Sequence, residues 1–184
     1  MIAEYPFLLA LVASFLAGIS AALLRHAATN FGRAAWWLAS ALSVCAYLGE
    51  LWSFWWALQM SLTPLWQSNL LRTITGGFLI LAGVSLHAWA AVALRGRVFG
   101  AAPDAPLVTR PPYRYLRRPM ALGTLSASLG AAWIVNASPL MVWCAGWFVL
   151  TLPLLELEEW ELGERVPGAK RFLESTPRYW PRLR

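Results

Sequence analysis

The residues best equipped for chemistry lie in two short polar blocks of an otherwise apolar chain. The first is Leu107–Gly123, LVTRPPYRYLRRPMALG, which holds four arginines, three prolines and two tyrosines directly before a hydrophobic run. Arginine presents a planar fork of donors that grips carboxylates and phosphates bidentately. A topology signal needs only the charge of Arg114, Arg117 and Arg118; Pro111, Pro112 and Pro119 add fixed backbone angles, which an anion-binding wall requires. Pro119 suits the first position of a helix, whose positive end favours an anionic group, and Gly123, one turn on, lets a ligand or a helix approach the backbone. The second block is Glu156, Glu158, Glu159 and Glu161, after Pro153. Acids at a helix C-terminus oppose the macrodipole, so this cluster calls for cationic partners. Glu158 and Glu159 project about 100° apart on a helix, so one can face a pocket while its neighbour faces an arginine.

Two further ionisable groups, Glu50 and His87, fall inside apolar runs, where charge is expensive and function is a standing hypothesis. Each reads either as an interhelical hydrogen-bonding residue or as part of a cavity wall. His26 lies at the end of the first run and His87 seven residues inside the third, roughly 10 Å deeper at 1.5 Å per residue. The two cannot share a haem, and no carboxylate lies close to either in sequence, so a dedicated metal site is not expected.

The elements that must position these residues are membrane helices. Of 184 residues, 59% are hydrophobic and 13% charged, against roughly 25% charged in a soluble domain. Apolar runs near the length of a bilayer crossing cover Tyr5 to Leu24, Ala35 to Leu58 and Thr73 to Leu94, and Met120 to Leu155 is long enough for two helices broken at Asn136 to Pro139. Five spans are expected, forming one all-α membrane domain with a helical hairpin at its end and a cytoplasmic C-terminal helix. The first run lacks the basic flank and cleavage site of a signal peptide. Arginines crowd loop one (Arg25, Arg33), loop three (Arg95, Arg97, Arg110, Arg114, Arg117, Arg118) and the tail, while loop two has only Arg72. The positive-inside rule therefore puts the N-terminus outside and the C-terminus in the cytoplasm, and the net charge of +6 needs no nucleic-acid partner. Trp36, Trp37, Trp66 and Trp160 are placed for an interfacial belt, whereas Trp89 and Trp147 are expected to pack. Cys45 and Cys144 read as small packing residues. Residues 1–94 form a three-span scaffold without a chemical motif, and residues 95–184 bring both polar blocks to one surface at the foot of the hairpin.

Taken together, these residues resemble the membrane methyltransferases that include isoprenylcysteine carboxyl methyltransferase and the phospholipid N-methyltransferases. Their signature runs roughly G-P-Y-R-Y-x-R-H-P-x-Y-x-G, a hairpin turning at an N-P-like sequence, E-E-x-x-L, two spaced tyrosines and V-P-R-x-x-P. The counterparts here are Pro111 to Gly123, Asn136 to Pro139, Glu158-Glu159-Trp160-Glu161-Leu162 and Thr176-Pro177-Arg178-Tyr179-Trp180-Pro181. Arg118 stands where the histidine is usual, Ala121 replaces a tyrosine, Pro111 replaces the first glycine, and Ala169 and Phe172 stand for the spaced tyrosines. Arginine cannot serve as a base, so a mechanism needing histidine at that position is excluded.

The resemblance implies S-adenosylmethionine as cofactor, reached from the cytosol, and a lipophilic acceptor entering sideways between helices. Tyr113, Arg114, Arg118, Pro119, Gly123, Glu158, Glu159 and Arg178 would bind the cofactor, with Glu158, Glu159 and Arg178 closest to the reaction. Arg114 and Arg117 would also steer headgroups or the anionic leaflet. A bacterial or archaeal inner membrane is the expected location. Two alternatives stand beside this reading: an NADPH-dependent membrane reductase of the sterol or enoyl type, whose C-terminal part is similar, and a membrane protein that keeps the fold without the chemistry.

Overall fold

The computed structural model describes residues 6–60, 65, 69–95 and 107–178; Trp66, Arg97 and the Tyr179-Trp180-Pro181 end of the last motif lie outside them. The described chain is all-α. The helices are α1 (Phe7–Phe31), α2 (Arg33–Gln59), α3 (Leu70–Leu94), α4 (Pro119–Val135), α5 (Ser138–Arg165) and the short α6 (Ala169–Ser175). Local sequence sets their ends. Gly32, at φ 76°, breaks α1 from α2, and the Asn69 side chain caps α3 by accepting from the Arg72 amide at 2.8 Å. Pro119 opens α4, and Asn136, left-handed at φ 56°, closes it, so the hairpin turns within the expected Asn136 to Pro139 break. Four helices are long and apolar enough to cross a membrane; α4 has only 17 residues, about 25 Å at 1.5 Å each, just short of a hydrocarbon core of about 30 Å.

Two antiparallel pairs, α1 with α2 and α3 with α4, are joined by α5, which packs on α1, α4 and α2. Small residues make both pairs close. At Gly49 an added Cβ would sit 2.2 Å from Ser14 Oγ, and Ser14 directs that hydroxyl to the Ala10 carbonyl at 2.7 Å. Along α3 and α4, Gly83 faces Gly123 and Gly76 faces Gly130, each glycine backbone lying against the other helix. Among the α3 glycines, Gly77 alone would meet nothing within 4 Å of an added Cβ. The core forms where Phe7, Leu11 and Phe15, one stripe of α1, meet Ala57, Ala132, Leu140, Trp143, Cys144 and Trp147.

Tertiary packing corrects several side-chain expectations. Trp36 is only 8% exposed and lies under the Arg165 guanidinium, 5.1 Å from its ring centroid, so it is a packing residue and no belt residue. Trp89, expected to pack, is 51% exposed on the outside of α3. Trp147 is buried as expected and Trp37 is exposed, while Trp160 meets the His26 ring at 4.4 Å. Cys144 is buried and Cys45 faces outward. Outward Leu, Trp and Phe side chains are numerous, as a hydrocarbon solvent permits.

The two ends of the bundle differ. At one, the Leu65 amide donates to the Asn136 carbonyl at 2.7 Å, tying loop two to the hairpin turn. At the other, Arg25 reaches Glu158 at 3.6 Å, the Arg117 amide donates to the Pro177 carbonyl at 3.0 Å, and Arg110 clasps the Ala93 carbonyl through Nε at 2.8 Å. Loops one and three and the tail thus share an end, as an odd number of crossings from the N-terminus requires.

Candidate functional site

The two polar blocks meet as an ion-pair cluster at the foot of α4 and α5. Glu159, 7% exposed, is its centre: it accepts from Arg117 Nη1 at 2.7 Å and from Arg178 Nη2 at 2.8 Å and Nε at 3.1 Å, and Arg118 Nε lies 3.5 Å away. Glu158 accepts from Arg118 Nη1 at 2.5 Å. Arg118 also donates to the Leu155 carbonyl at 3.1 Å, so three contacts fix its guanidinium plane. Arg178 bridges out to Glu156 at 2.5 Å. These two carboxylates hold its proton still more firmly than usual. Glu161 pairs within its own helix with Arg165 at 2.5 Å. The acids that the macrodipole disfavours are therefore all matched by cations.

Beside this cluster lies a cleft of about 360 Å³, walled by Tyr113, Arg117, Arg118, Pro119, Met120, Ala121, Leu155, Glu158, Leu162 and Phe172 among others. It falls within the usual size range of ligand pockets, about 300–1,000 Å³. Of the residues expected to bind the cofactor, Tyr113, Arg118, Pro119 and Glu158 line it. Glu159 stands behind that wall and holds Arg117 and Arg118, and Arg178 in turn pairs with Glu159. Arg114 is exposed and off the wall. Gly123 faces away from the cleft: a Cβ there would lie 2.7 Å from the Gly83 carbonyl and 2.8 Å from the His87 amide, so its missing side chain serves the α3–α4 contact. Three of the positions that depart from the family pattern, Arg118, Ala121 and Phe172, sit on the cleft wall.

Burial of the Tyr113 hydroxyl, against the opposing Arg118 charge, pushes its pKa from 10.0 up to about 12. It is a neutral hydrogen-bond donor throughout the physiological range. A raised pKa adds stability below pH 10 that is lost as pH rises toward 12. Alkaline titration followed by tyrosinate absorbance should show a late-titrating phenol that disappears in Tyr113→Phe.

Sequence reasoning missed Arg25 and Arg165. Arg25, read from the sequence as part of loop one, lies in the last two turns of α1, where no motif marks it, and meets Glu158 only because α1 packs on α5. Arg165 lines the cleft from the end of α5, a position the charge pattern alone did not separate from the rest of the tail.

Apolar helices long enough to cross a bilayer, carrying at one end an arginine- and glutamate-walled cleft, define an integral membrane protein with a charged cleft at its surface. Residues 71–165 match the family model described as phospholipid methyltransferase. The match spans just over half of the chain, and the protein belongs to that family. It covers α3, α4 and α5, so it begins one helix before the motifs read from the sequence and ends before Arg178. No curated protein and no solved structure matches the chain.

Proposed function

We propose that this protein transfers a methyl group from S-adenosylmethionine to a lipophilic or membrane-associated acceptor, such as a prenyl-cysteine-like carboxylate or a phospholipid amine. The observation that carries the reading is the charge pattern of the cleft: Arg118 and Glu158, in contact at 2.5 Å, offer a cation and an anion on an otherwise largely apolar wall. That pattern complements the carboxylate and ammonium of the cofactor's amino-acid end. Arg117 Nε, buried in the same wall without a hydrogen-bond partner, leaves an unmet donor there, and Leu155, Leu162 and Phe172 suit an adenine ring. The residues present fit the group, which supplies an electrophilic sulfonium methyl when bound.

What the chain contributes is position. Arg118, its plane set by Glu158, Glu159 and the Leu155 carbonyl, would anchor the carboxylate, and Glu158 would take the ammonium. Tyr113 would donate a hydrogen bond, and Met120 and Leu162 would exclude water from the methyl. Holding reactants in line is worth several kcal/mol without covalent chemistry from the protein. In this division of labour residues 1–94 are scaffold and residues 95–184 hold the cofactor, with the cleft facing the cytoplasm as the arginine distribution directs.

Calorimetric titration of the detergent-solubilised protein with S-adenosylhomocysteine, with NADPH in parallel, tests this. Saturable binding of the first alone is expected. Arg118→Ala should weaken it at least tenfold, about 1.4 kcal/mol, while Arg72→Ala, at the opposite end of the bundle, should leave it unchanged. Binding of NADPH alone would transfer the site to the reductase class, and binding of neither by folded protein would leave a fold without this chemistry.

A further inference from the structure

A second cavity, of about 420 Å³, lies within the membrane-spanning part of the bundle. It exists because α2 and α3 barely touch: the two helix pairs splay apart there, and α4 and Trp143 of α5 form its floor. Its walls are Leu51 and Phe54 of α2, Ile80 and Val84 of α3, and Ala127 and Ala131 of α4. Leu51 and Val84 are exposed, so the mouth opens sideways toward lipid. Three ionisable groups reach it, Tyr47, Glu50 and His87, and of these only Glu50 can carry a negative charge near neutral pH. His87 is satisfied through Nδ1 by Thr124 Oγ1 at 3.0 Å.

Glu50 is different. Trp147 Nε1 donates to one of its oxygens at 3.1 Å, and among the described residues no lysine or arginine lines the cavity or pairs with it. A carboxylate in a low-dielectric site calls for a cation, and the chain supplies none there. The volume equals roughly fourteen water molecules at about 30 Å³ each, room for a small head and one hydrocarbon chain, and far too little for a two-chain lipid.

We infer that the α2–α3–α4 cavity binds a single-chain lipophilic amine, entering sideways from the bilayer with its ammonium group on Glu50. The cavity shares the first turns of α4 with the cofactor cleft: Pro119, Met120 and Ala121 face the cleft, and Gly123 and Thr124 face the cavity. Its use as the site of the methyl acceptor rests on the transferase reading and would narrow the acceptor there to a single-chain amine; the binding itself does not rest on it. Glu50 precedes the residues of the family match, so this recognition is a property of the chain's own scaffold.

The test is photo-crosslinking in lipid vesicles with a diazirine-bearing single-chain alkylamine, beside the alcohol of equal chain length, and with labelled residues mapped by mass spectrometry. The amine should label Leu51, Phe54, Ile80 and Val84 about tenfold more than the alcohol does. Glu50→Gln should bring amine labelling down to the alcohol level, and Ala131→Phe, which fills the cavity and keeps the charge, should abolish both. Binding of S-adenosylhomocysteine, measured on the same preparations, should persist in both variants and certifies their fold; were the native protein to fail to bind it, the transferase reading would fall while the amine result stood. Equal labelling by amine and alcohol, or labelling insensitive to Glu50→Gln, overturns the inference.

Discussion

Glu159→Gln should lower both the stability of the protein and its affinity for S-adenosylhomocysteine. Glu159 is nearly fully buried and is the common partner of Arg117, Arg118 and Arg178. Its neutral amide would take from Arg117 its carboxylate partner and leave Arg118 and Arg178 with only Glu158 and Glu156. Removing one partner of a buried ion pair costs about 3–5 kcal/mol; the arginines here keep some access to solvent, so about 2–4 kcal/mol is expected. Glu159 does not line the cleft, so its effect on affinity acts through the orientation of Arg118, and it is a positioning residue. A loss of tenfold or more in affinity, about 1.4 kcal/mol, is expected for Glu159→Gln. The same is expected for Arg178→Ala, which frees Glu156 and unpairs one side of Glu159. Thermal unfolding in detergent reads the first effect and calorimetry the second. Unchanged affinity in both folded variants would remove these residues from the site.

Gly83→Val should prevent the bundle from forming. A Cβ on Gly83 would lie 2.5 Å from the Ala127 amide nitrogen and 2.6 Å from the Gly123 carbonyl oxygen. Both obstacles are backbone, so no rotamer change relieves them; α3 and α4 would have to separate along their length. That separation would also undo the Gly76–Gly130 contact one heptad away and displace Arg117 and Arg118 at the start of α4. A cost above about 4 kcal/mol, the exceptional range for one substitution, is expected, read as loss of monodisperse protein after solubilisation. Gly77→Ala is the control. Nothing lies within 4 Å of a Cβ there, and replacing a mid-helix glycine with alanine favours the helix by roughly 0.5–1 kcal/mol, so its unfolding temperature should hold or rise.

Much of the architecture can be read in the linear chain because a bilayer imposes lengths. Apolar runs near twenty residues mark the helices, and Asn136, with Pro139 beyond it, marks the hairpin turn. The pairing of α1 with α2 and α3 with α4 cannot be read the same way. In water the polar face of a helix shows which side is outside, but in lipid both the partner and the solvent are apolar. The exposed Trp89 and the buried Trp36 are indistinguishable by type and local spacing. Small residues hint at contacts, but whether a glycine sits on the seam depends on helix rotation: Gly76 lies there and Gly77, its neighbour, does not.

The same division holds at the two cavities. By itself the sequence determined that two polar blocks would return to one end of a helical hairpin, since five crossings and the position of the arginines leave few other arrangements. It determined that the acids of α5 needed cations, because a helix C-terminus disfavours them. Only the tertiary structure decided which acid faces which arginine. It brought Arg25 to Glu158, set Glu158 on the cleft wall with Glu159 behind it, turned Gly123 toward α3, and opened a second cavity at Glu50. These outcomes follow from how the helices rotate and cross, and rotation is set by the summed fit of many small side chains rather than by any local motif.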